Sequence, residues 1–260
     1  MCRQTSEADH DGTVRETPTH LTTVSLEPLF RAQFGEDRVL WRIFRRRRTG
    51  YFIEVGAFDG VTLSNTYFLE QMGWCGVLVE PILPLCEAAA GARPRSRVVQ
   101  GACGKSGSHG TTKFTVAQNV PVLSFLRADQ EHADRCLREG ATLMEIEVPL
   151  LTVDDVLMHE RRNPAPFGGP WAPNVGWRID LVSIDTEGCE LDVLDGFSLD
   201  RFRPRILLME NDRASGEGIE PYLRARGYRK FHRQKINDFY VRVDDPADDL
   251  TLTGLGQSAG

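Results

Sequence analysis

Residues 50–80 read GYFIEVGAFDGVTLSNTYFLEQMGWCGVLVE, and their order decides the fold class. Tyr51–Val55 and Gly76–Val79 are apolar runs, the pattern of strands buried on both faces. Between them Ser64–Met72 is helical in character, with Ser64 placed to cap its start and Gly73 placed for the left-handed residue past its end. Strand, helix and strand in about 30 residues predict a βαβ unit, and hence a parallel sheet.

The alternation continues outward. Leu83–Ala92 is helical and leads to a third apolar run at Arg97–Val99. Ile179–Ile184 and Ile206–Met209 supply two more, separated by a short helix at Leu191–Leu194 that Gly196 stops. Tyr228–His232 and Asp238–Val243 read as a closing hairpin. The repetition predicts an α/β fold with a doubly wound, mostly parallel sheet. Upstream, Leu26, Leu29, Phe30 and Phe34, then Val39, Leu40, Ile43 and Phe44, recur at helical spacing and predict a helical leader over 25–50. Its closing run Arg45–Arg48 is accounted for by solvent and the helix C-terminus.

Residues 104–150 mix turn signals with β-prone pieces and a helical Arg127–Gly140, and read as an excursion with no assigned role. Residues 160–178, ERRNPAPFGGPWAPNVGWR, read as an irregular loop and, by length, as a lid over a binding site. The polar ends read as a disordered tail over 1–24 and a flexible tail over 244–260, around a single domain at 25–243.

Composition bounds the function. With 260 residues, 41% hydrophobic and 26% charged, the chain can bury one substantial core. No apolar run approaches the roughly 20 residues of a membrane span, and residues 1–20 hold no apolar stretch for a signal peptide, so a cytoplasmic protein without a membrane partner is expected. A net charge of -6 argues against nucleic acid as the partner. Six cysteines without a C-x-x-C pair read as reduced thiols.

Ligands of an open α/β sheet bind beyond the carboxyl ends of its strands, so the residues ending each run are the candidates. The first run ends in Glu54-Val55-Gly56-Ala57-Phe58-Asp59-Gly60. A dinucleotide loop needs glycine where Phe58 stands, and Glu54 and Asp59 would repel a pyrophosphate, which disfavours NAD. S-adenosylmethionine has no phosphate and carries a sulfonium and an ammonium, which carboxylates attract. Glu80, twenty positions after Gly60 and followed by Pro81, has the spacing of a ribose ligand, with helix capping as the other reading. Ala102, beyond the third run, joins this cofactor set.

Asp185, Glu187 and Glu210 gather at the ends of the last two parallel runs. Two explanations stay open: Mg²⁺ held by oxygen ligands from Asp185, Glu210 and Asn211, or direct hydrogen bonding to the methionine ammonium and to acceptor hydroxyls. His232 is a candidate general base, against the reading of a surface histidine.

The segments QFGEDRVLWRIF (33–44), GYFIEVGAFDGVTLSNTYFLE (50–70), GWCGVLVEP (73–81), DLVSIDTEGCELDVLDGF (180–197) and RPRILLMEND (203–212) together resemble the FkbM family of S-adenosylmethionine-dependent methyltransferases, from about Gln33 to Tyr240. The resemblance implies a class I methyltransferase fold, Rossmann-like with an antiparallel last strand, and transfer usually to oxygen. It implies a cofactor loop of Glu54, Gly56, Ala57, Asp59 and Gly60, a ribose contact at Glu80, Ser64 and Asn65 near the methionine end, and Asp185 and Glu187 facing the methyl group. The stretch 160–178 departs from the family pattern. The function expected is O-methylation of a hydroxyl on a sugar-containing or polyketide-like natural product. The alternatives are N-methylation of an amino-sugar or related amine, and a non-catalytic cofactor-binding module in a biosynthetic complex. The partner implied is a small-molecule acceptor, with a homodimer as the assembly open to it.

Overall fold

β1 (Tyr51–Val55) is buried along its whole length, as its unbroken apolar run requires, and the rest of the fold is arranged around it. The computed structural model describes residues 26, 29–127, 130–165, 167–172, 176–211, 218–245 and 250–255. The expected N-terminal tail, 1–24, lies outside the described residues.

A helix α1 (Glu36–Ile43) precedes β1. After β1 come α2 (Tyr67–Gln71), β2 (Cys75–Glu80), α3 (Leu83–Ala92) and β3 (Arg97–Gln100). The excursion contributes β4 (Ala102–Cys103), β5 (Thr111–Gln118), α4 (Gln130–Arg138) and β6 (Thr142–Leu151). A crossover helix α5 (Val153–Arg162) and a small hairpin, β7 (Trp171–Ala172) with β8 (Gly176–Trp177), lead to β9 (Leu181–Ile184). Then follow α6 (Glu190–Asp195), α7 (Leu199–Phe202), β10 (Ile206–Glu210), α8 (Ile219–Arg224), β11 (Tyr228–Gln234) and β12 (Asn237–Arg242).

The main sheet has the order β11-β12-β10-β9-β1-β2-β3. β1 pairs in parallel with β2, Ile53 opposite Val77, and with β9, Ile53 opposite Val182. β12 enters antiparallel between β10 and β11, Leu208 opposite Phe239. This is a Rossmann-like sheet with an antiparallel last strand. Side chains alternate across it. Phe52, Leu78, Leu181 and Leu208 pack with α1 and α2 on one face, while Ile53, Val77, Val182 and Leu207 pack with α5, α6 and α8 on the other. Burial of both faces makes the sheet doubly wound.

The structure departs from three of these expectations. Among the described residues of the leader over 25–50, the α-helix is confined to Glu36–Ile43. The Asp37 carboxylate accepts the backbone N–H groups of Arg31 (2.7 Å) and Ala32 (3.0 Å), and Glu36 accepts that of Phe34 (2.9 Å), so helix-starting side chains hold the preceding chain in a non-helical turn. The expected C-terminal tail, 244–260, is packed where it is described beyond 249: Leu250 is buried in the α1 cluster, and the N–H of Thr251 donates to the carbonyl of Ile43 (2.8 Å). Apolar Leu250, Leu252 and Leu255 close that face of the core.

The third correction is the lid at 160–178. Its described residues pair β7 with β8 and lie at the amino ends of the strands. Arg97, which begins β3, donates to the carbonyl of Asn163 (2.8 Å), and the thiol of Cys75, which begins β2, reaches the carbonyl of Phe167 (3.6 Å). The reason is topological: α5 descends from the carboxyl edge, so the loop joining it to β9 emerges at the opposite edge.

Candidate active site

The glycine turn after β1 exists because two backbones meet there. Gly56 has φ +84, and a Cβ on it would stand 1.8 Å from the carbonyl oxygen of Asp185, at the end of the neighbouring β9. The contact holds the turn and the β9 end on either side of a cavity of about 340 Å³, within the range of small-ligand sites.

On one side the cavity is lined by Glu54, Gly56, Ala57, Ser64, Asn65 and Glu80, and by Pro81 and Ala102 beyond them. Glu54, buried at the end of β1, accepts from the hydroxyls of Ser64 (3.0 Å) and Thr66 (2.6 Å) and from the N–H of Asn65 (3.0 Å), fixing the approach to α2. Ser64 in turn accepts from the N–H of Tyr67 (3.0 Å), and the amide of Asn65 donates to the hydroxyl of Ser183 (3.0 Å). Fully buried Arg93 fastens this corner, donating to Glu70 (2.8 Å), to the hydroxyl of Thr66 (2.8 Å) and to the carbonyl of Gly60 (2.9 Å).

Glu80 ends β2 and accepts from the N–H groups of Phe58 (2.9 Å) and Ile82 (2.8 Å), which aim it across the loop. Burial raises its carboxyl to about 7, although those two N–H groups pull it down.

On the other side stand Asp185, Glu187 and Glu210, which each bring a carboxylate oxygen within 4.8 Å of the others, a spacing three ligands of a hard cation would have. The loop carrying the first two is wound round Glu190, whose carboxylate accepts from the N–H groups of Thr186 and Gly188 (both 3.0 Å) at the start of α6. Glu187 consequently sits in the left-handed region at φ +56, at a cost of about 1 kcal/mol for a residue with a Cβ.

The excursion, expected to have no role, roofs the cavity. β5 and β6 pair antiparallel, and α4 and the turn Pro121–Leu123 pack on them around Ala117, Leu123, Phe125 and Cys136. Val120–Ser124, Leu126, Arg135 and Glu139 reach the cavity from this unit. His132, buried on α4, has Nε2 2.9 Å from the carbonyl of Leu123, which only accepts, so Nε2 carries the proton and Nδ1 faces Glu187 at 3.7 Å. None of these roof residues was singled out from sequence. The available signal was the apolar run Val120–Leu126 in a stretch otherwise rich in turns.

Other expected site residues lie elsewhere. Asp59 folds its carboxylate back onto the N–H groups of Val61 (2.9 Å) and Thr62 (2.7 Å), and a Cβ on Gly60 would press on Ala89 and Arg93, so both shape the loop without lining the cavity. His232 packs its ring on Phe239 (5.3 Å) along β11 and does not line the cavity. Asn211 donates to Asp238 (2.7 Å), and Glu187 takes its place among the acids. No described residue of 160–178 lines the cavity. Cys103 and Cys189 do, with burial raising their thiols to about 12 and about 11, so neither supplies a thiolate at neutral pH. Among the described residues, no helix is long and apolar enough to cross a membrane.

Residues 172–230 match the family model of the Methyltransferase FkbM domain. The match covers β9, the Asp185–Glu190 loop and β10, so the family signature falls on the strands and loop that carry all three acids. No curated protein matches the chain. Similar solved structures include a TehB-like SAM-dependent methyltransferase from Corynebacterium glutamicum, 10% identical, covering 83% of this chain and 89% of that one with a TM-score of 0.38. Another is the human methyltransferase 10 domain containing protein, 12% identical, covering 80% and 81% with a TM-score of 0.35.

Proposed function

We propose that the chain transfers a methyl group from S-adenosylmethionine to a hydroxyl of a sugar-containing or polyketide-like acceptor. The observation that carries this reading is one cavity with Glu80 on one side and the Asp185, Glu187 and Glu210 carboxylates on the other. The donor set fits the cofactor. α2 starts eleven residues beyond Gly56, so no helix N-terminus stands at the turn to hold a phosphate, whereas a ribose and a cationic methionine head both find carboxylates.

Glu80 would accept from the ribose hydroxyls, and Ser64 and Asn65 would flank the methionine end. When bound, the cofactor supplies a methyl group on a sulfonium, displaced in line by the acceptor oxygen. An alcohol is a weak nucleophile, so the chain must orient its hydroxyl and remove its proton. Asp185 and Glu187 would hold the hydroxyl, one carboxylate taking the proton, with buried Glu210 beside them. The excursion excludes bulk water from above.

The test has two steps. Calorimetry with S-adenosylmethionine and with NAD should give binding of the first alone, and folded protein that binds neither would end the proposal. Methyl incorporation is then measured on neutral glycosides, polyketide alcohols and amino-sugars, before and after EDTA. Hydroxyl acceptors should be methylated, and Asp185→Asn should lower turnover by about 10²-fold or more. Activity lost on EDTA and restored by Mg²⁺ would move the three carboxylates from proton handling to metal ligation.

A further inference from the structure

We infer that the acceptor half of the cavity takes an amphiphile, a molecule whose methylated hydroxyl is carried on an apolar body, and that Leu63 and Val122 grip that body at the mouth. The methylation step rests on the function proposed above; the apolar binding site rests on the lining alone.

Leu63 and Val122 are 42% and 37% exposed, and both line the cavity. They reach it from separate elements, the β1–α2 loop and the turn Pro121–Leu123 of the excursion. Leu63 stands in the left-handed region at φ +57, beside the isolated bridge between Leu63 and Ala32. The left-handed backbone holds the Leu63 side chain where it lines the cavity while staying 42% exposed.

The lining beside these two stays apolar through Val120 and Pro121, Phe114 and Leu126 continue it toward Ala102 and Ile82, and buried Glu210 with Asp185 and Glu187 supplies the polar part. The lining is therefore polar in one part and apolar in another, with Arg135 and Glu139 of α4 as the charged part of the roof. A free sugar presents hydroxyls on every side and would leave several of them facing carbon without partners. An apolar body that bears a hydroxyl matches both parts.

The probe is octyl β-D-glucopyranoside below its micellar concentration, titrated calorimetrically against methyl β-D-glucopyranoside, with and without S-adenosylhomocysteine. The octyl glycoside should bind about tenfold tighter or better than the methyl glycoside. Leu63→Ser and Val122→Ser should each weaken it by about fivefold. Val243→Ser, at a residue 60% exposed and outside the cavity lining, should leave it unchanged. Equal binding of the two glycosides, or loss of binding in the Val243 variant to the same degree as in the rim variants, overturns the inference. If S-adenosylhomocysteine binds and the octyl glycoside does not, the amphiphile falls and the methyltransferase proposal stands. If the octyl glycoside depends on both rim residues while S-adenosylhomocysteine fails to bind, the apolar site stands and the methyltransferase proposal falls.

Discussion

At the scale of single residues, Glu80 should make cofactor affinity depend on pH. Its carboxyl is raised from 4.5 to about 7, so in the absence of ligand its contribution to stability is present below about 4.5 and is lost as pH rises through about 7. A ribose needs the ionised acceptor. Affinity for S-adenosylhomocysteine should therefore rise about tenfold from pH 6 to pH 8 and be flat in Glu80→Gln, as calorimetry at the two pH values would read; a flat wild-type profile removes Glu80 from the ribose. Gly56→Ala adds a Cβ against the Asp185 carbonyl at a positive φ, and should cost about 3 kcal/mol, a fall of about 6–12 °C in Tm by scanning calorimetry. Both residues were legible because strand-ending positions face the crevice of a parallel sheet. Asn211 and His232 were misread because position near a strand end says nothing about which way a side chain points. Asn211 follows Glu210 and so turns from the acids toward Asp238, and His232 lies on a strand with a register shift between Lys230 and His232.

Elements were legible where periodicity is local and illegible where direction mattered. The βαβ start, the hairpin of β11 and β12 and the helix α3 all follow from runs and breakers. The 160–178 loop was misplaced by its length and composition, although the strand it precedes already sets it at the amino edge. Phe167→Ala should accordingly change S-adenosylhomocysteine affinity by less than about twofold, whereas a lid residue would change it by tenfold or more; a large change by calorimetry would return the loop to the cavity. The roof is not legible in the sequence because its small core forms from residues distant in sequence, Ala117 with Cys136 and Leu143, that no single periodic window contains. The role of Arg93 is illegible for the same reason: it binds Glu70 and the Gly60 carbonyl, 23 and 33 positions away. Arg93→Ala strands buried Glu54 and Glu70 and should destabilise by about 3–5 kcal/mol, seen as a shift of the denaturant midpoint; a shift within error would mean the corner is held by packing alone.

Over the whole molecule, acids buried in the fold set how stability responds to pH. Glu36, Asp37, Glu80 and Glu160 all stand above their ordinary values, with burial the largest cause in each. Raised carboxyls stabilise the fold below their unfolded values and lose that contribution as pH rises through their folded ones. Asp59, Glu220 and Asp244 are shifted down, so their opposing effect is confined to pH below about 4.5. Tm of the ligand-free protein should thus rise by about 3–5 °C from pH 8 to pH 6, Glu80 alone giving about 1.4 kcal/mol, and a fall over that interval in scanning calorimetry would contradict the assignment. The pairing of β4 with β6 sets Ala102 opposite Leu150 and Cys103 opposite Leu151. The excursion leaves and rejoins the domain at a single doorway, carrying its own small core with it. It is a cassette: on the proposed function, a chimera with residues 104–149 exchanged for another segment closing the same doorway should keep S-adenosylhomocysteine binding and change the acceptor, so acceptor range could diverge without the sheet being rebuilt.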